Sequence, residues 1–183
     1  SVVPAGMLIN AIFLSVWIYL PPRIQDMSAR RSLAVTTATA LVAWAIFGMM
    51  AIFCIDSASD SGFGARDIAV IGVVLTAAFG IYLGWSPGDS PKGSREVSKS
   101  VLLARGGMAA TAIGASVWVA GLGYPLIAGL ASVFPAIFLT SMVALWISQG
   151  PSVPRGAAAP MLLGGGSVGV YALVAMYSLD SHG

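Results

Sequence analysis

Six mainly apolar stretches, parted by short polar or Pro/Gly-rich breaks, divide the chain: Ala5–Leu20, Ser32–Ile55, Ile68–Trp85, Val101–Leu122, Pro125–Ser148 and Ala157–Leu179. Each approaches the roughly 20 apolar residues that carry a helix across a hydrocarbon core of about 30 Å. Alternation of apolar and polar positions, the mark of barrel strands, is absent from all six. A helix satisfies its own backbone hydrogen bonds, which lipid cannot do. The pattern therefore predicts an all-α fold, a polytopic membrane helix bundle of six transmembrane helices. The first stretch is the shortest and has the length of a signal-sequence core. No basic residue precedes it, however, and Pro21-Pro22-Arg23 follows it in place of a small-residue cleavage motif.

The breaks organise the chain into halves. Residues 86–100, SPGDSPKGSREVSKS, read as an exposed linker. It separates a first three-helix unit (1–85) from a second (101–183) within one membrane domain. The units echo each other at an offset of 101 residues. Gly6-Met7 falls on Gly107-Met108, Ala11-Ile12 on Ala112-Ile113, and Ser15-Val16-Trp17 on Ser116-Val117-Trp118. The same shift carries Thr39, Val42 and Ala43 onto Thr140, Val143 and Ala144. Three spans separate equivalent helices, so the second copy would cross in the opposite sense, giving a 3+3 inverted-topology repeat of the kind that places transporter sites at the midplane.

Two features interrupt the helical pattern. Pro135 lies inside the fifth stretch, where a proline removes one backbone hydrogen bond, and it predicts a bend near Val133–Pro135. Gly164-Gly165-Gly166 lowers helix propensity by about 1 kcal/mol per glycine and predicts a kink or loosened turn in the sixth. A substrate pathway is expected where these breaks face each other, with Asn10, Thr111, Ser116, Ser132, Thr140 and Ser141 as its polar groups beside Pro135, Gly164, Gly165 and Gly166. The competing role for each polar group is a helix–helix hydrogen bond worth about 1 kcal/mol or less. Small residues at spacing four mark packing faces: Gly72, Thr76, Gly80 and Gly84 on the third span, Gly106, Ala110 and Gly114 on the fourth, and Gly165 with Gly169 on the sixth.

Composition narrows the class further. The 183 residues are 57% hydrophobic and 9% charged, whereas soluble domains are about 25% charged. Of the nine Lys and Arg, eight fall on the first, third and fifth connections (Arg23, Arg30, Arg31; Lys92, Arg95, Lys99, Arg105; Arg155) and one, Arg66, on the second. Basic short loops stay on the cytoplasmic side, so loops one, three and five are expected inside and both termini on the opposite side. Trp17, Trp85, Trp118, Trp146, Tyr19, Tyr124 and Tyr177 lie toward span ends, where aromatic belts are expected. Cys54 has no second cysteine to pair with.

No ionisable residue lies near the middle of a span, which disfavours a proton-coupled pump. The chain lacks a phosphate-binding glycine loop, a His/carboxylate metal cluster and paired cysteines, and its one histidine is His182 in the tail. No enzyme, no cofactor, no metal and no nucleic-acid partner is expected.

In the second half, Ser-Val-Phe-Pro-Ala-Ile-Phe-Leu-Thr at 132–140 precedes a glycine-rich closing helix entered through Pro154-Arg155-Gly156-Ala157. Over residues 100–179 this is similar to the small GlpM-type integral membrane proteins. That resemblance implies a compact membrane architecture and carries no activity with it.

The reading is a small integral membrane transporter or channel-like protein for a small solute, neutral or recognised through helix ends and hydroxyls. Its site would lie near the midplane between inverted halves, with the lipid bilayer and a homodimer partner or other membrane subunits around it. The alternative is a non-catalytic structural subunit of a larger membrane complex, and a third option is a lipid-binding scaffold.

Overall fold

A computed structural model describes residues 3–62, 64–85, 98–123 and 134–180. Among these residues the chain is helical, with no strand. The elements are α1 (Val3–Tyr19), a 3-10 turn (Pro21–Arg23), α2 (Ala29–Asp60), α3 (Ala65–Trp85), α4 (Lys99–Gly121), α5 (Ala136–Gln149) and α6 (Ser152–Asp180). Three of them, within α2, α3 and α6, are long and apolar enough to cross a membrane.

The bundle is built around α1. This helix is apolar on every side, and a helix without a polar face belongs in an interior. From Gly6 to Ile18 each residue is buried or half-buried, with Ala11, Phe13, Leu14 and Trp17 fully enclosed. It packs against α2, α3 and α6, while α5 closes the bundle through α6 and α2. The element with the weakest sequence signal for a span is thus the one the others wrap.

Registers between helices follow from individual contacts. Gly80 faces Leu163 and Gly84 faces Ala159, while the Arg66 guanidinium lies 5.2 Å from the centre of the Tyr177 ring. Residue numbers rise along α3 as they fall along α6, so the two are antiparallel, in contact along their length. The buried stripe of α3 contains Gly72, Thr76 and Gly80, which lets α6 approach closely. At the start of α3 the Asp67 carboxylate accepts from the Gly64 backbone N–H at 3.0 Å, one half of a capping box.

Three boundaries differ from the sequence reading. Helix α2 runs to Asp60, past the expected end at Ile55, because nothing in Asp56–Asp60 breaks a helix. Helix α6 begins at Ser152, so Pro154, Arg155 and Gly156 form its first turns instead of a loop. A proline near a helix start loses no bond, since those N–H groups have no intrahelical acceptor. The link from α5 shrinks to Gly150 and Pro151, with Gly150 at φ +91°, a conformation that glycine adopts freely. Further on, Pro160 sits inside α6. Its ring would meet the backbone four residues earlier, and that residue is Gly156, which has no side chain to add to the crowding.

Candidate functional site

The interior of the bundle contains a short polar seam between α1 and α2. Asn10 on α1 is 1% exposed, and its Oδ1 accepts a hydrogen bond from Trp44 Nε1 on α2 at 3.0 Å. The face that α2 turns inward is Ser32, Thr36, Ala40, Trp44 and Gly48, an unbroken i, i+4 series. Small residues at 32, 36 and 40 give the close approach, and the tryptophan spans the gap at 44. The Asn10–Trp44 bond fixes the register. Trp17 lies seven residues beyond Asn10 and Thr36 eight residues before Trp44, so on antiparallel helices they reach the same level to within about 2 Å.

At that level two polar atoms have no hydrogen-bond partner: Trp17 Nε1 and Thr36 Oγ1, on residues that are both 0% exposed. Five hydroxyls elsewhere in the bundle behave differently. Ser15 donates to Ala11 O, Thr76 to Gly72 O, Thr111 to Gly107 O, Thr140 to Ala136 O and Ser141 to Ile137 O, each at 2.6–2.9 Å. These bonds to the preceding turn are how a helix absorbs a hydroxyl in apolar surroundings. An unpartnered buried polar group costs about 1–3 kcal/mol in mutational terms, so among the described residues the Trp17–Thr36 level is where fully buried side chains leave hydrogen-bonding capacity unused.

The aromatic contacts around the seam join it to α5. Trp17 meets Trp146 edge-on at 6.0 Å, and Trp44 meets Phe134 edge-on at 5.2 Å. Phe134 is followed by Pro135, which is buried. Asn10 and Pro135, assigned to one pathway from sequence, are thus connected through Trp44 and Phe134. Thr140 and Ser141 lie on α5, with Ser141 buried. Gly165 lies against α5, where an added Cβ would come within 2.7 Å of Phe138 Cζ, and a Cβ on Gly166 would reach only the Thr76 methyl at 4.0 Å. Gly164 faces open space.

Other expected site residues are not gathered here. Thr111 and Ser116 lie on α4, whose main neighbour among the described residues is α5. Ser132 and Val133 lie outside the described residues. Pro135 does not kink a described helix: it occupies the N-terminal boundary of α5 (φ −76°, ψ 41°), with the helix starting at Ala136. The expected bend near Val133–Pro135 falls partly outside the described residues, and Pro135 itself, just before a helix, costs that helix no internal bond. Nor do the three glycines open α6, which stays helical from Ser152 to Asp180. Neighbouring helices hold that stretch, so tertiary packing overrides its low propensity.

For the packing candidates, Gly72, Thr76, Gly80 and Gly169 are buried, whereas Gly106, Ala110 and Gly114 on α4 are exposed. Trp17 and Trp146, expected at an interface, are core residues instead. Thr36 and Trp44 were not singled out from sequence, although the i, i+4 series from Ser32 to Gly48 holds the signal.

A recess of about 310 Å³ opens between α1, α2 and α3 and is lined by Leu8, Cys54, Ile55, Ile68, Ile71 and Leu75 among others. Its wall is entirely apolar, so it offers no group that could orient a polar ligand.

Comparison with protein-family models, with curated proteins and with solved structures returned no match. The functional reading accordingly rests on the seam itself.

Proposed function

We propose that the chain is a six-span integral membrane protein that passes a small neutral solute along the α1/α2/α5 seam. The observation that carries this reading is the pair of unpartnered buried atoms, Trp17 Nε1 and Thr36 Oγ1. Inside lipid an unsatisfied polar group costs several kcal/mol, and such groups face cavities or partners. An indole N–H donates only, and a hydroxyl both donates and accepts. Together they suit an uncharged molecule with an acceptor oxygen, such as water, urea or a small polyol. Asn10 and Trp44 would form the next station, about 10 Å further along. The basic connections would lie on the cytoplasmic side and both termini opposite.

The test is solute-driven volume change of proteoliposomes, followed by light scattering, with water, urea and glycerol as probes. Wild-type vesicles should exceed empty ones for at least one probe, and Thr36→Val should remove most of that excess without loss of folded protein. Wild-type rates equal to those of empty vesicles for every probe would sink the proposal.

A second reading, a subunit that packs against another membrane chain, is favoured by α4. Its Leu103, Val117 and Trp118 are strongly exposed, and its main neighbour is α5. In a Cys54→Ser background, Trp118→Cys should then form an oxidative crosslink to a different polypeptide in native membranes. Labelling of that cysteine without any crosslink leaves α4 facing lipid.

A further inference from the structure

Two arginines far apart in sequence converge on the end of α1. Arg155 Nε, in the first turn of α6, donates to the Ile18 carbonyl at 3.1 Å. Arg23 Nη1, in the 3-10 turn, donates to the Tyr19 carbonyl at 3.0 Å. Ile18 and Tyr19 are successive residues, so the two guanidinium groups are anchored on adjacent carbonyls of one helix end. Part of their role is plain: both occupy the negative end of the α1 dipole and satisfy carbonyls left open at a helix end.

That role uses one N–H of each group. A guanidinium has five, in a planar fork that matches phosphate oxygens. Both residues are exposed, and among the described residues neither has a carboxylate partner; Asp26, the nearest acid in the loop, makes no ion pair. Arg30 and Arg31 stand exposed in the first turn of α2 at the same end of the bundle. The N-terminus of α6 adds a positive dipole end beside Arg155.

We infer that Arg23 and Arg155 form a clamp for the phosphate of an anionic phospholipid at the end of α1. The occupant is a lipid headgroup because the clamp sits where a 17-residue apolar helix ends, about 25 Å from its other end and so at the depth of a headgroup layer. This goes beyond the solute pathway and does not depend on it.

The experiment is native mass spectrometry of protein released from nanodiscs of phosphatidylcholine containing a minority of phosphatidylglycerol. Wild type should retain phosphatidylglycerol preferentially, and added sodium chloride should weaken the retention. Arg155→Gln puts its amide nitrogen where Nε stood and can still donate to Ile18, so capping persists while charge is lost, whereas Arg23→Gln is too short to replace Nη1 and loses both; each should lower retention about fivefold, and the pair by more than either alone. An unchanged thermal midpoint in phosphatidylcholine alone separates charge from capping. Equal retention of both lipids by wild type, retention indifferent to salt, or displacement by millimolar inorganic phosphate overturns the assignment. Any of these outcomes leaves vesicle flux, and hence the solute proposal, standing.

Discussion

Helices α1 and α4 share a run of residues at an offset of 101 and live in opposite surroundings. Trp17 is 0% exposed, while its counterpart Trp118 is 69% exposed. Asn10 corresponds to Thr111. The first reaches across to Trp44, and the second turns back to its own helix at Gly107. The difference originates in the neighbours. Helix α2 brings Thr36, Ala40 and Trp44 to α1, and the equivalent positions on α5 are Ile137, Ser141 and Leu145. A leucine cannot donate to the residue at 111, so the polar tie of the first half has no equivalent in the second. In a duplicated arrangement the contact of α1 with α6 would be mirrored by one between α4 and α3, yet among the described residues α4 engages chiefly α5. Similar local sequence sets what a helix can bury. Its partners decide what it does bury.

The sharpest way to break this comparison is to truncate both tryptophans. Trp17→Ala removes a ring enclosed by Phe13 and Trp146 and should destabilise by about 3–5 kcal/mol. Trp118→Ala should change stability by no more than about 0.5 kcal/mol. Denaturant unfolding in detergent, monitored by circular dichroism, measures both. Comparable losses would mean that α4 is as enclosed as α1. A smaller effect is expected from the polar tie: Trp44→Phe keeps the contact with Phe134 and removes the donor to Asn10, which should cost about 1–2 kcal/mol. Leu145→Ala, at the corresponding site of α5, tests packing alone and has no hydrogen bond to lose.

How far the sequence foretold this arrangement varies by element. The all-helical class follows directly from 57% hydrophobic residues in six runs, and each described helix overlaps one of them. The identity of the central helix does not follow, because Ala5–Leu20 is the shortest of the runs, and burial of α1 depends on three neighbours that no local pattern reveals. Pro135 and Gly164–Gly166 were read as breaks by intrinsic propensity. In the structure Pro135 lies just before a helix start, with residues 124–133 outside the described residues, and α6 stays helical through the glycines, of which Gly165 faces α5 and Gly166 faces α3. The candidate site was half legible. Asn10 stands out as the one amide in an apolar run, whereas its partner Trp44 reads like any other apolar residue until α2 is laid against α1.

The seam offers a finer test, because Thr36 has an unpartnered hydroxyl while Thr111 on α4 bonds to its own backbone. Thr36→Val removes a buried polar atom that makes no protein hydrogen bond and keeps the side-chain shape. It should be neutral or stabilise by up to about 1 kcal/mol in detergent free of small polar solutes. Thr111→Val, on an exposed face, should stay within about 0.5 kcal/mol. A clear loss of stability on Thr36→Val would mean that its hydroxyl is bonded in the folded protein.

The smallest expected effect distinguishes two adjacent glycines in α6. Gly164 has no neighbouring atom within 4 Å of an added Cβ, and Gly165 would bring one to 2.7 Å from Phe138 Cζ. Alanine is better than glycine inside a helix by about 1 kcal/mol, so Gly164→Ala should stabilise by up to that amount. Gly165→Ala gains the same propensity but displaces the Phe138 ring, and overpacking typically costs about 1–3 kcal/mol, so the net effect should be zero or a loss. The penalty depends on one side chain, which makes it separable. In a Phe138→Ala background the ring is gone, and Gly165→Ala should recover the benefit seen at Gly164, with a coupling of about 1 kcal/mol between the two sites. If Gly165→Ala is as favourable as Gly164→Ala in the wild-type background, α5 and α6 are not in contact at this level, and the closure of the bundle around α1 is looser than Trp17 and its neighbours imply.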